Sequence, residues 1–279
     1  MTEVVGLIAG DGRLPVVIAA AVKSRGLRLV CVMITGEQAE LVRLADHAYR
    51  VGFGDLHRIL EAFGTHGVRR VLLAGRTPRA SLIGGGDRAF RQWVEGASDR
   101  SDHGLFQQGV QRLAALGIEV ASPLEFVRDL LTPEGVLSKR LPTDEEWDDA
   151  RAGMRIAKTI AALDIGQTIV LKRGVMLAVE AAEGTDQTIR RAGTISDGAV
   201  VVKAARPHQD ERFDLPTAGM QTIQALRDAR AAVLALEAGR TLLVDRAEAI
   251  AAADAAGIAI VGVEAPPPAS GAQGPGLER

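Results

Sequence analysis

Cysteine is almost absent from this chain, with one residue, Cys31, in 279. No internal disulfide can form, so packing rather than cross-linking must hold the fold, and a reducing, cytoplasmic compartment is expected. Cys31 sits inside an apolar run over residues 29–34 and reads as a buried core thiol. Aromatic residues are also scarce, at 3%, and basic and acidic side chains nearly cancel, 33 against 35. With few rings for base stacking and no basic excess, nucleic acid is not an expected partner. No apolar stretch reaches the roughly 18 residues of a membrane-spanning helix. The N-terminus runs directly into an apolar segment over 4–9, without the pattern of a secretory leader. His47, His57, His66 and His103 are scattered without zinc-ligand spacing, and His208 stands by itself in a later loop. There is no Ser-His-Asp or Cys-His logic, no G-x-S-x-G elbow and no P-loop.

What is present is an ordinary globular composition, 47% apolar and 24% charged, in a chain long enough for two domains. The first part alternates strand and helix. Strands are expected over 4–9, 29–34, 71–74 and 118–121, and helices over 15–25, 56–66 and 103–116. This alternation predicts an α/β fold whose first sheet is mostly parallel, with helices on both faces and ligands at the carboxyl ends of the strands. The stretch 131–146, with Pro133, Gly135 and Pro142, reads as a linker, followed by a connecting helix over 145–163. The expected division is 1–131 as an N-terminal domain, 132–163 as linker and connecting helix, 164–264 as a C-terminal α/β domain, and 265–279 as a disordered tail rich in Pro and Gly.

Five motifs carry the candidate chemistry. After the first strand comes Gly10-Asp11-Gly12, with Leu14 and Pro15 opening a helix. Two glycines allow close backbone approach, and a helix start offers unpaired N–H groups to an anion. The same residues also suit a plain tight turn. The third glycine of the dinucleotide fingerprint is missing, and so is the acidic residue after the second strand, which argues against an NAD enzyme. Arg76 and Arg79 follow the strand over 71–74 and would reach the same sheet edge, as phosphate ligands or as solvated arginines.

The densest motif lies where a strand over 168–171 turns at Arg173-Gly174 into a strand over 175–179 and then a helix over 187–192. Glu180, Glu183, Gly184, Thr185 and Asp186 crowd into that junction. Three carboxylates and a hydroxyl at a helix start suit a metal-and-phosphate site, or simply an acidic helix N-terminus favoured by the macrodipole. Lys203 ends another strand, and Arg206, His208, Asp210, Arg212 and Asp214 follow in one loop, before Thr217 and Gly219 lead into a helix. Such mixed charge suits a polyanion held with a cation, or a salt-bridged surface loop. Finally, Glu237 and Arg240 flank Gly239, ahead of Asp245, as cleft residues or as a β-turn.

Together, residues 6–15, 163–167, 178–191, 203–216 and 235–245 resemble the UDP-2,3-diacylglucosamine pyrophosphatase family of lipid A biosynthesis, the LpxI type. The resemblance implies a Rossmann-like N-terminal domain joined to a C-terminal α/β domain, a homodimer, and the substrate between the domains. It implies Mg²⁺-assisted hydrolysis of the pyrophosphate of UDP-2,3-diacylglucosamine to UMP and 2,3-diacylglucosamine 1-phosphate (lipid X), with water directed at the sugar-side phosphorus. Contact with the cytoplasmic face of the inner membrane is then expected. Carried onto this sequence, Glu183, Asp186 and Asp214 become metal ligands, and Lys203 and Gln221 join them as catalytic residues. Gly10, Asp11, Gly12, Leu14, Arg76, Gly184, Thr185, Arg206, Thr217 and Glu237 become substrate-binding residues. The chain departs from the family at Gln221, where many members carry aspartate. A glutamine is a weaker metal ligand and no general base at neutral pH. The alternative reading is a non-catalytic binder of the same lipid nucleotide or its product.

Overall fold

The computed structural model describes residues 2–36, 38–76, 88–96, 102–207 and 209–265. It divides into two compact units. Unit 1 is Met1–Arg128 together with Asp210–Asp214, and unit 2 runs from Asp129 to Gln209 and resumes at Leu215. The fold class is α/β, as the alternation predicts.

Unit 1 contains a fully parallel five-stranded sheet in the order β3-β2-β1-β4-β5, built from Val4–Ala9, Arg28–Met33, His47–Arg50, Arg70–Ala74 and Glu119–Val120 as β1 to β5. Its helices are α1 Leu14–Ser24, α2 Ala39–Leu44, α3 Leu56–Thr65, α4 Arg88–Glu95, α5 Asp102–Ala115 and α6 Leu124–Val127. Leu7, Cys31 and Leu72 are fully buried in the central strands. Those strands read as unbroken apolar runs because helices cover both faces of a parallel sheet. α3 turns Ile59, Ala62 and Phe63 onto Val30, Val32 and Val71. Because β2 and β3 lie on one side of β1 and β4 and β5 on the other, the direction in which successive strands are added to the sheet reverses between β1 and β4. The loops leaving these two strands therefore sit where ligands enter such sheets.

Unit 2 is built on a mixed six-stranded sheet, β6-β13-β11-β9-β7-β8. Its strands are β6 Gly135–Val136, β7 Thr168–Lys172, β8 Val175–Val179, β9 Val200–Lys203, β11 Val233–Glu237 and β13 Ala259–Val263. A separate parallel pair joins β10 Thr217–Ala218 to β12 Leu242–Leu243. Its helices are α7 Asp144–Ala162, α8 Thr185–Gly193, α9 Met220–Asp228 and α10 Arg246–Ala255. Alternation along the strands sorts the core. Val201, Leu234 and Leu236 face α8, α9 and α10, while Val200, Val202, Val233 and Ala235 face α7.

Two expectations about the middle of the chain differ from what is observed. The segment 132–163, read as linker and connecting helix, is a layer of unit 2. α7 starts on a reciprocal capping box between Thr143 and Glu146 and buries Ala150, Met154 and Ala157 against the second sheet. Its proline- and glycine-rich approach hid β6, a strand of only two residues. Asp210–Asp214, read as part of the C-terminal domain, belongs to unit 1. The expected tail lies outside the described residues from 266 onward. No described helix is long and apolar enough to cross a membrane.

Candidate active site

The antiparallel pairing of β7 with β9 sets Thr168, the first residue of β7, opposite Lys203, the last of β9. β8 returns alongside β7 and delivers Glu180 to the same edge, where α8 begins at Gly184 and Thr185. One sheet edge thus collects a lysine, two hydroxyls, a carboxylate and a helix N-terminus. Lys203 is only 6% exposed. Its Nζ donates to Thr185 Oγ1 at 2.7 Å and to Thr168 Oγ1 at 3.4 Å, and among the described residues it makes no ion pair. Thr185 Oγ1 donates to Glu180 Oε1 at 3.1 Å and lies 3.2 Å from Thr168 Oγ1. A hydroxyl has one proton, so Thr185 accepts from Lys203 and Thr168 while donating to Glu180. A buried cation held by neutral hydroxyls still calls for an anion. The start of α8 adds a positive dipole end beside it.

The loop after β9 continues this edge. Arg206 pairs with Asp164 at 2.7 Å, and its backbone N–H donates to Gln209 Oε1 at 3.3 Å. Gln209 also accepts from Gln167 Nε2 at 3.1 Å. Glu237, expected to touch substrate, is 3% exposed, and its oxygens are engaged by Lys158 and by the Ala205 N–H.

Glu183 and Asp186 stand three residues apart at the start of α8. Asp214 is in unit 1, the other two are in unit 2, and no group of three His, Cys, Asp or Glu suited to a metal occurs among the described residues. Glu183 faces Arg191 at 2.7 Å and accepts from Thr188 and the Ala181 N–H. Bonding from its own backbone N–H, with Arg191 beside it, holds its carboxyl below the usual range. Such a carboxylate would have to leave an existing cation to ligate a new one. Asp186 lies in the first turn of α8. Thr217 is in β10 with its hydroxyl on the Leu215 carbonyl at 2.8 Å, and Gln221 is exposed in the first turn of α9.

In unit 1 the structure gathers Gly10, Asp11 and Arg76. Asp11 and Arg76 exchange backbone hydrogen bonds at 2.8 Å, and Gly10 N–H donates to the Ala74 carbonyl. A Cβ on Gly10 would come 2.5 Å from the Arg76 carbonyl oxygen, so this interlock of the β1 and β4 exits needs glycine. Gln38 Nε2 donates to the Gly10 carbonyl from the far side. Gly12 turns the chain at φ +105°, and Leu14, buried, opens α1 rather than lining a surface. Arg79 and His208 lie outside the described residues.

Sequence reasoning missed Lys158 and gave Thr168 no role. Lys158 had a readable signal. It lies four residues after Met154 and three before Ala161, on the apolar stripe of α7, where a charge requires a buried partner.

Comparison with known proteins agrees with the two-part layout. The family profile described as LpxI N-terminal domain matches residues 4–130, and that of the LpxI C-terminal domain matches residues 133–261. The chain is 33% identical over 273 residues to the UDP-2,3-diacylglucosamine pyrophosphatase LpxI of Caulobacter vibrioides, covering 93% of this chain and 97% of that one. Among solved structures, N5-carboxyaminoimidazole ribonucleotide synthetase from Thermotoga maritima aligns at 14% identity and a TM-score of 0.25 over 65% of this chain and 42% of its own. The biotin carboxylase domain of a thermophilic 2-oxoglutarate carboxylase does so at 16% and 0.25, over 61% and 35%. Scores this low carry no argument about this fold.

Proposed function

The chain belongs to the LpxI family, and from that premise we propose that it hydrolyses the diphosphate of UDP-2,3-diacylglucosamine to UMP and 2,3-diacylglucosamine 1-phosphate, in lipid A biosynthesis. The observation that carries this reading is Lys203, a buried ammonium on two threonine hydroxyls beside the start of α8. A phosphoryl oxygen bound there would meet the Lys203 ammonium and the α8 N-terminus, which would stabilise the charge that grows as water attacks phosphorus. Glu180 accepts the Thr185 proton and so leaves the Thr185 oxygen to accept from the Lys203 ammonium. Arg206 adds a second cation in the same loop. In unit 1, the Gly10–Gly12 turn and Arg76 would receive the nucleotide half.

Mg²⁺ is part of the proposal. It commonly binds through one or two carboxylates together with substrate phosphate oxygens, which asks for less than a three-carboxylate cluster, and Asp186 is the residue of this edge that would hold it. When bound, the ion would neutralise diphosphate charge. A homodimer acting in the cytoplasm, in contact with the inner membrane where its lipid substrate resides, completes the reading.

The test is UMP release from UDP-2,3-diacylglucosamine with Mg²⁺ and with EDTA. The natural chain should release UMP only with Mg²⁺, and Lys203→Met should slow release by about 10²–10³-fold with its fold intact. Lys203→Met turning over at the natural rate would overturn the assignment of Lys203. The second reading, a non-catalytic binder, is favoured by Gln221 standing in the first turn of α9. It predicts stabilisation of the natural chain by the lipid nucleotide without UMP release, and release once Gln221→Asp is introduced.

A further inference from the structure

We infer that Lys158 and Glu237 are positioning residues whose buried ion pair fixes the Ala205 peptide, and through it the loop that presents Lys203 and Arg206. The inference rests on the reading of Lys203 as a phosphate-binding group. Lys158 Nζ lies 2.8 and 3.1 Å from the two carboxylate oxygens of Glu237. The same ammonium donates to the Ala205 carbonyl at 2.9 Å, and Glu237 Oε2 accepts from the Ala205 N–H at 2.6 Å. Both polar groups of one backbone residue are therefore gripped by the two members of one ion pair. Ala205 stands two residues after Lys203 and immediately before Arg206. The grip comes from two directions, because Lys158 belongs to α7, which covers one face of the sheet, while Glu237 ends β11, the neighbour of β9 within it.

The pair is buried, with side chains 19% and 5% exposed. Such pairs add little net stability compared with well-packed apolar residues, because desolvating two charges offsets most of their attraction. Stability therefore does not account for this one. Geometry does, since an apolar pair of the same volume would leave the Ala205 N–H and carbonyl without partners where the chain exits β9. That exit sets where the Lys203 ammonium and the Arg206 guanidinium stand. Misplacing a reacting group by about 1 Å costs on the order of 100-fold in rate. Glu237 thus acts on the loop backbone and not on substrate.

The experiment uses the full chain in three forms, natural, Glu237→Gln, and the double variant Lys158→Met/Glu237→Leu. Each is measured for thermal stability, for kcat and KM of UMP release, and for backbone amide exchange at Ala205 and Arg206. The double variant should fold with a melting temperature lowered by several degrees, because the buried Ala205 N–H and carbonyl lose their partners, lose about 10–100-fold in kcat with KM within a few-fold, and exchange its Ala205 amide at least about tenfold faster. Natural kcat in the folded double variant overturns the inference, as does an unchanged Ala205 exchange rate. If the double variant does not fold, Glu237→Gln decides by kcat, which should fall by more than its change in melting temperature explains, since it removes the ion pair while keeping the side-chain shape. Amide exchange needs no turnover. A natural chain that releases no UMP therefore defeats the functional reading, while the exchange comparison still decides whether the pair holds the loop.

Discussion

A methyl group added at Gly166 would overlap the backbone carbonyl of Glu180. The close approach brings the turn before β7 against the end of β8, and it is sealed by the Gln167 N–H donating to Glu180 Oε2 at 3.2 Å. Since Glu180 also receives the Thr185 hydroxyl, one added carbon would push on the chain of contacts that ends at Lys203. Gly166→Ala is therefore predicted to lower stability by about 1–3 kcal/mol, the usual cost of overpacking. It should also reduce UMP release more than its melting temperature alone would explain. Thermal melts beside initial rates check this, and a variant unchanged in both would show that the approach is not needed. Cys31 makes the opposite residue-scale case. It is fully buried, as the apolar run around it predicts, and burial pushes its thiol up to about 12. It should stay inert to thiol reagents in the native protein and react only on unfolding, and rapid native labelling would contradict its burial.

Among the elements, the five-residue strap Asp210–Asp214 is the one whose place depends on tertiary contacts. Phe213 stacks on Phe106 of α5 with centroids 4.4 Å apart, Arg212 lies over the same ring, and Gln107 donates to Asp210 at 2.9 Å. Arg212 pairs with Asp210 at 2.7 Å, and that hydrogen-bonded guanidinium holds the Asp210 carboxyl below its ordinary value. A carboxylate with a lowered folded pKa contributes stability above its unfolded pKa of about 3.9 and loses it as pH falls through the folded value. Asp210→Asn should therefore melt below the natural chain at about pH 6, with the gap closing toward about pH 3 and below. A gap that does not change with pH would remove the ion pair from the explanation. The charges of this strap were legible, with a salt-bridged loop among the readings, but its place against α5 was not, because Gln107 lies 103 residues away from Asp210 along the chain. The central strands β1, β2, β4 and β7 were legible as apolar runs, since burial alone sets their composition, whereas β11 was not assigned. β3, with the sequence His-Ala-Tyr-Arg, and β6, only two residues long, carry no such run and went unseen. The candidate site shows the same division. Lys203, Thr185 and Glu180 were visible as polar residues at element ends, whereas their pairing through the β7–β9 register was not.

For the whole molecule, sequence order and compactness divide the chain differently. The two family profiles meet between residues 130 and 133, whereas the first compact unit also takes in Asp210–Asp214, a piece of the later sequence. A cut near residue 130 therefore yields an N-terminal fragment that keeps its whole parallel sheet but loses the cover on Phe106, which is 8% exposed in the intact chain. Exposing part of one aromatic side chain and losing its ring partner costs about 2 kcal/mol. The two tryptophans make this measurable unit by unit, because Trp93 lies in unit 1 and Trp147 in unit 2. In a Trp147→Phe background, fluorescence reports on unit 1 alone. Its melting temperature is expected to be several degrees lower in the fragment than in the full chain, and Phe213→Ala in the full chain should reproduce a large part of that loss in stability. Equal melting of the fragment and the full chain would mean that the sheet and its own helices suffice and that the strap only rests on them. If the difference appears and Phe213→Ala reproduces it, the first half of the sequence needs the second to finish its core, and the two units must be studied as one chain.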